Sequence, residues 1–380
     1  MAHSSLPPSP SPAASSPPPA RITSLDGLRG LAIGLVLLHH YIQLRLPSGR
    51  PWAENLDLAL HLSWSGVDLF FVLSGFLIGG VLMDHRLSPR LALVFYVRRS
   101  LRIIPLYAVT LLVLFGSLKM GDYSHLPAWV YATFTSNFGM VWISSWDHPA
   151  LAVMWSLAVE EQFYLFAPWL FLWLRPARIP AALALIVGLA WALRITALAA
   201  DPSGFASHVL MPCRMDAFAL GMLAAWAMRS AAARAWLARR TIRWWLPFAV
   251  LTPALLVLTF TRAPHGNWAL SLYGYPTLAL FFGWSVYVAV VIRPAALISV
   301  LEWAPLVNFG RLSYFIYLWH VVVLNVVIWR LLRTRDAVFL DGFPFLGAIA
   351  VAVAVTWALA AVSWKLFEGP LVRLGQRLRY

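Results

Sequence analysis

Cysteine is almost missing from this chain: Cys213 is the only one in 380 residues. That excludes an intrachain disulfide and any cysteine-rich zinc site. Charge is scarce as well, at 12% Asp, Glu, Lys and Arg against 61% hydrophobic residues, and the mean hydropathy is +0.74. A soluble domain of this length needs far more polar surface, so the composition predicts an all-α fold, a polytopic transmembrane helical bundle. Carboxylates are the scarcest charge, with 15 Asp and Glu against 29 Lys and Arg, for a formal net charge of +14. Such an excess can point to nucleic acid. Here, however, the basic residues stand in short clusters at the ends of apolar runs, as cytoplasmic loops of membrane proteins do. Membrane lipid is therefore the expected partner and nucleic acid is not. Twenty tryptophans suit extensive bilayer interfaces.

No cleavable leader is expected either. Residues 1–20 are mostly Pro, Ser and Ala without an apolar core and read as a disordered tail before a membrane domain at 21–380. The first span, near 25–41, is followed by hydrophobic segments near 62–83, 103–118, 127–141, 154–174, 179–199, 208–228, 244–261, 268–292, 306–332 and 343–366. Arg21, and Arg86, Arg90, Arg98, Arg99 and Arg102 in the second loop, put the amino terminus in the cytoplasm. If 127–141 also crossed, Arg229, Arg234, Arg239, Arg240 and Arg243 would face outward, against the charge rule. About ten spans follow, with both termini cytoplasmic and Trp129 to Val141 as a non-spanning or re-entrant element beside an outer cavity. Arg330, Arg333 and Arg335 are the exception, facing outward.

The first span carries Arg29, His39 and His40, and an ionisable residue in a span costs a few kcal/mol, which marks a functional site by default. Arg29 and His40 lie within about 20° of one helix face and about 16 Å apart along the axis. The topology sorts the remaining ionisable residues by depth. Arg29, Arg99 and Arg102 lie toward the cytoplasm; His40, Asp68, Glu160, Glu161, Arg214, Asp216 and His320 lie in the middle or outer part.

Each has a structural alternative. Arg99 and Arg102, three apart on one face, are accounted for by topology alone, and Arg29 by a salt bridge to Asp26. Asp68 reads first as a charge at a helix N-terminus. Arg214 and Asp216 either shape a pocket or pair within the fold. Tyr314, Tyr317 and His320 line one stripe, with His320 a second polar contributor or a buried structural histidine. Asn137 contacts a sugar or stabilises its loop. Ser74, Gly75 and Gly79, with Gly30 and Gly34, read as small-residue helix contacts. No spacing of histidines and carboxylates makes a metal site: His39 and His40 are adjacent, unlike the i, i+4 pair of a helical zinc motif.

These residues fall in blocks that resemble the acyltransferase-3 family of integral-membrane O-acyltransferases. LDGLRGLAIGLVLLHH is similar to the family's opening signature, with Arg29 and His40 at its spacing of arginine, ten residues, histidine. GVDLFFVLSGFLI, VRRSLRIIPLY, WSLAVEEQFYL, RMDAFALGMLAAW, GRLSYFIYLWH and FEGP follow in the family's order. The resemblance runs from about residue 21 to the end, and the chain's close after its last span predicts that no SGNH-type hydrolase domain is fused to it. It implies acyl-CoA, most simply acetyl-CoA, as co-substrate, with no permanently bound cofactor, and a sugar or glycan hydroxyl as acceptor on the outer side of the cytoplasmic membrane. It also implies a general base at His40, its neighbour His39 being structural. Glu160, which the family pattern favours over Glu161, could orient the imidazole, or else pair with Arg214 as a buried carboxylate. Arg29, Arg99 and Arg102 would hold the donor's phosphates, and Asp68, Glu161, Arg214, Asp216, His320 and Asn137 are acceptor-side candidates. The rival readings are a transporter or lipid flippase, for which intramembrane Arg, His and Glu are equally expected, and acylation of a hydrophobic small molecule such as a macrolide.

Overall fold

The computed structural model describes residues 22–239, 244–261, 267–333 and 343–380. The expected tail at 1–20, Arg21, Arg240, Arg243 and Arg335 lie outside them, as does the side chain of Arg239. No strand occurs among the described residues. The ten longest helices there are α1 (Thr23–Tyr41), α2 (Gly66–His85), α3 (Leu91–Leu111), α4 (Met154–Trp173), α5 (Ile179–Ala200), α6 (Met211–Arg229), α7 (Leu246–Phe260), α8 (Tyr275–Tyr287), α9 (Ala304–Leu332) and α10 (Phe343–Ser363). Proline opens α5, α6, α7, α8 and α9 within the first two positions, where its missing N–H has no helical partner to lose.

Seven helices among the described residues are long and apolar enough to cross a membrane. The other three of the expected ten are α7, with 15 residues, and α1 and α4, which carry the ionisable groups of interest. The segment at 127–141 is two short helices, Ala128–Ala132 and Ser136–Trp142, each too short to span a bilayer.

Contacts between helix ends show that the elements alternate in direction. At one end Arg229 pairs with Asp84 at 2.7 Å, Arg86 donates to the Leu174 carbonyl, Arg98 to that of Leu378, and Ser24 to that of Ala289. This gathers the basic clusters together. At the other end Arg45 donates to Asn325 and Asn137 to the Val209 carbonyl.

Helices in lipid gain little from burying apolar surface against one another, so close approach through small residues does much of the holding. The α1–α9 crossing is the clearest case. A Cβ on Gly310 would stand 1.8 Å from the Asp26 carbonyl oxygen, and one on Gly30 2.1 Å from that of Leu306. Gly75 and Gly79 pack likewise against Phe218 and Met222 of α6, but Gly34 faces open space, so it is no helix contact.

Two buried ion pairs cross-link α2, α5 and α6: Arg214 with Asp68, and Arg194 with Asp216 at 2.8 Å. Asp68 does lie in the first turn of α2, but it is buried and paired. Arg214 and Asp216 pair within the fold, each with another helix, and Glu160 is not the partner of Arg214.

Candidate functional site: two adjoining chambers

Side chains from α1, α2, α3, α4 and α9 line a cavity of about 90 Å³ that contains Arg29, Arg99, Arg102, Ser74, Glu160 and Tyr164. Arg29 pairs with Asp26 at 3.1 Å, one turn away. The Arg99 guanidinium lies 4.9 Å from the centre of the Tyr164 ring, a cation–π contact. Among the described residues neither Arg99 nor Arg102 has a carboxylate within ion-pair distance. Ser74 and Tyr164 both donate hydrogen bonds to Oε1 of Glu160. This arginine chamber is thus a concentration of positive charge with one anion, ready for a ligand carrying phosphate.

A second cavity, of about 310 Å³, is lined by His39, His40, Asp68, Trp146, Asp147 and Trp155, among others. Val67 and Tyr317 line both cavities, so the two chambers adjoin. Tyr317 is held by Ser156 and by the Val153 carbonyl at 3.0 Å.

In the histidine chamber, His40 Nδ1 lies 3.0 Å from the Val36 carbonyl oxygen. A carbonyl only accepts, so Nδ1 carries the proton and Nε2 of the neutral ring keeps its lone pair. The His320 ring packs edge-on against His40, centroids 4.8 Å apart. His320 is buried, with Nδ1 at 2.8 Å from the Tyr317 carbonyl oxygen and Nε2 without a partner. His39 shares the chamber despite its position on the helix, with Nδ1 at 2.9 Å from Gln43.

The structure brings Arg29, Arg99 and Arg102 together as expected and puts His40 in the adjoining space. It separates Glu160 from His40: no hydrogen bond joins them, and the backbone carbonyl of Val36 holds the imidazole instead. Glu161, Arg214, Asp216 and His320 line neither chamber: Arg214 and Asp216 are engaged in the buried pairs, and His320 is fully buried behind His40. Asn137 is buried and exchanges hydrogen bonds with Gln162 on α4, which makes it the amide that ties the short helices to the bundle. Ser74 is a chamber residue and not a mere helix contact.

A model of a protein family described as an acyltransferase domain matches residues 22–364, spanning both chambers. The chain belongs to this acyltransferase family. Among its relatives, the peptidoglycan O-acetyltransferase OatA of Listeria monocytogenes is 27% identical over 382 residues, 93% of this chain and 56% of that protein. The O-acetyltransferase OatA of Staphylococcus aureus is 24% identical over 384 residues, 94% of this chain and 58% of that protein. The chain thus spans a little over half the length of these relatives. No solved structure matches it.

Sequence reasoning missed four residues of these chambers and of the helices and loop that hold them. Arg194 sits alone in an apolar helix, and the rule that singled out Arg29 applies to it equally. Tyr164 lies one turn after Glu160, a spacing that puts both on one face. Trp146 carried no signal among twenty tryptophans. Asp147 lies in the loop outside the spans, where it accepts from Ser124 at 2.6 Å, from Tyr131, and from the backbone N–H groups of His125 and His148 at 3.0 and 2.7 Å. Burial alone raises its pKa; these hydrogen bonds outweigh burial and hold it below the ordinary value.

Proposed function

We propose that the protein is an O-acyltransferase of the cytoplasmic membrane, moving an acetyl group from cytoplasmic acetyl-CoA to a hydroxyl of a glycan presented on the other side. The observation that carries the reading is the adjoining pair of chambers, one lined by three arginines and the other by His40, with Val67 and Tyr317 common to both. The clustering of basic residues at the arginine end supports a cytoplasmic aspect for that end, and with it cytoplasmic termini. The names of the relatives support a glycan acceptor, such as peptidoglycan.

In this reading Arg29, Arg99 and Arg102 hold the phosphates of the donor, and the pantetheine arm carries the thioester to the boundary between the chambers. His40 Nε2 takes the proton of the acceptor hydroxyl as its oxygen attacks the thioester carbon. The C–S bond breaks, the new ester remains on the acceptor, and the departing thiolate takes the proton from the His40 imidazolium, which restores the neutral base. Val36 keeps the basic nitrogen on the reactive side of the ring. Glu160 acts in the donor chamber, fixing Ser74 and Tyr164, and does not orient the base.

The test is acetyl transfer by purified protein in detergent, with acetyl-CoA and a glycan acceptor. Acetyl-CoA is consumed only with acceptor present, and His40→Ala lowers kcat by about 10²–10⁴. Undiminished transfer by well-folded His40→Ala overturns the mechanism, and solute transport without CoA turnover overturns the reading as an enzyme.

A further inference from the structure

The histidine chamber holds two carboxylates, and they differ in what each has left to offer. Asp147 is spent on four donors that fix its loop. Asp68 gives Oδ1 to Arg214, while Oδ2 is buried without a partner in a residue that lines the chamber. A buried carboxylate oxygen left unmet is costly, and native structures rarely leave one so without a reason. Arg214, whose Nη1 is also buried without a partner, meets Asp68 through Nη2 alone and keeps its guanidinium 3.8 Å from the centre of the Tyr275 ring, whose hydroxyl is bonded to His208 at 2.6 Å. Among the residues that line the chamber, Asp68 thus has a buried carboxylate oxygen with no donor of its own.

Beside it stands an aromatic surface. Trp146 lines the same chamber and is 42% exposed. Its plane is set by Phe205 and His208, both nearly perpendicular to it at centroid distances of 4.8 and 5.7 Å, and Asp147, the next residue, anchors the backbone. A fixed indole with accessible area beside a carboxylate with a free oxygen is chemistry suited to a pyranose. The C–H groups on one face of the sugar ring meet the electron-rich face of the indole, and a hydroxyl at its edge donates to the carboxylate.

The geometry points to Trp146 and Asp68 as the residues that set acceptor specificity: the indole stacks against a pyranose ring and Asp68 Oδ2 accepts from one of its hydroxyls, so that another hydroxyl of the same ring meets His40. This rests on the acyl-transfer reading above. The two residues add no chemical step; they select which hydroxyl is presented.

The test uses the full chain in detergent with N,N′-diacetylchitobiose as probe. Trp146→Ala raises the KM for the disaccharide tenfold or more and leaves that for acetyl-CoA unchanged, whereas Trp146→Phe restores most of the affinity. Asp68→Asn raises the same KM and changes the distribution of acetylated positions seen by NMR. Should that variant fail to fold, leaving Arg214 buried without its anion, the Trp146 pair decides the matter. An unchanged disaccharide KM in Trp146→Ala, or equal losses in the Ala and Phe variants, overturns the inference. Disaccharide binding without donor, followed by thermophoresis, separates this outcome from failure of the functional reading. Binding that Trp146→Ala weakens upholds the inference even where no transfer is seen, and no binding to the unaltered protein overturns it.

Discussion

Replacing Glu160 by Gln distinguishes a carboxylate that serves the base from one that serves the donor. In the structure its Oε1 receives Ser74 and Tyr164, in a chamber with three guanidinium groups. Gln keeps one acceptor oxygen and loses the charge. Hydrogen bonds to a charged group contribute about 1 kcal/mol more than neutral ones, so two such bonds predict a stability loss of about 2 kcal/mol. The same change removes the chamber's one anion, so the field acting on an incoming phosphate rises. At roughly 8 Å and an effective dielectric constant of about 20, one unit charge is worth about 2 kcal/mol before screening, which predicts a KM for acetyl-CoA lower by about five- to thirtyfold. Because His40 is held by Val36 and not by Glu160, kcat falls by less than about tenfold. Steady-state kinetics in both substrates, with a thermal melt, measure all three quantities. A loss in kcat near 10⁴ at unchanged donor KM, as expected for the orienting carboxylate of a triad, refutes the argument.

Arg102→Ala removes a guanidinium that has no carboxylate partner within ion-pair distance, and its donor KM rises by roughly 10- to 100-fold, one charge-assisted hydrogen bond, while the acceptor KM stays as it was. Gly310→Ala puts a methyl group 1.8 Å from the Asp26 carbonyl oxygen; α1 and α9 must part by about 1.5 Å to restore normal contact, and fluorescence-detected size-exclusion chromatography after heating shows a melting point lowered by several degrees or aggregated protein. The Asp147 carboxyl is depressed in the fold below its ordinary value of 3.8. Its stabilisation is therefore complete above that value and disappears as pH falls through the lower, folded one. Hydrogen exchange at the backbone N–H groups of His125 and His148 is protected at neutral pH and loses that protection only in strong acid, whereas Asp147→Asn lacks part of it at every pH.

Much of the bundle was legible because hydropathy and loop charge are long-range, additive signals. Ten apolar segments became helices, and the charge rule alone identified 127–141 as an element that does not cross. The arginine chamber was legible only in part: loop charge put Arg29, Arg99 and Arg102 at one depth, but that α1 and α3 turn them into one cavity is a matter of packing that no segment encodes. Pairing was not legible. Helical phase gave Glu160 a face but not a partner, and whether that face met His40 or Ser74 depended on the rotation of α4 against α2. Arg214 found Asp68 on a helix far back in the sequence and Arg194 found Asp216 on the neighbouring α6, and no spacing within one segment encodes either pair. The acceptor surface was hidden for a further reason: Trp146 acquires meaning only when Asp147 fixes the loop that holds it.

Val67 and Tyr317 form a wall common to both chambers, and in the proposed reading this wall would be all that separates the two sides of the membrane. A bilayer resists ions because the hydrocarbon core is about 30 Å thick; on the proposed reading, two cavities that back onto one another would shorten that barrier to the width of this wall. An opening of that wall for an acyl group, as the proposed transfer requires, would also offer a path for protons. Tyr317, tied to the Val153 carbonyl at 3.0 Å, is thus a seal as well as a lining. A smaller residue at position 67 would make proteoliposomes leak protons before it altered any rate of acetylation.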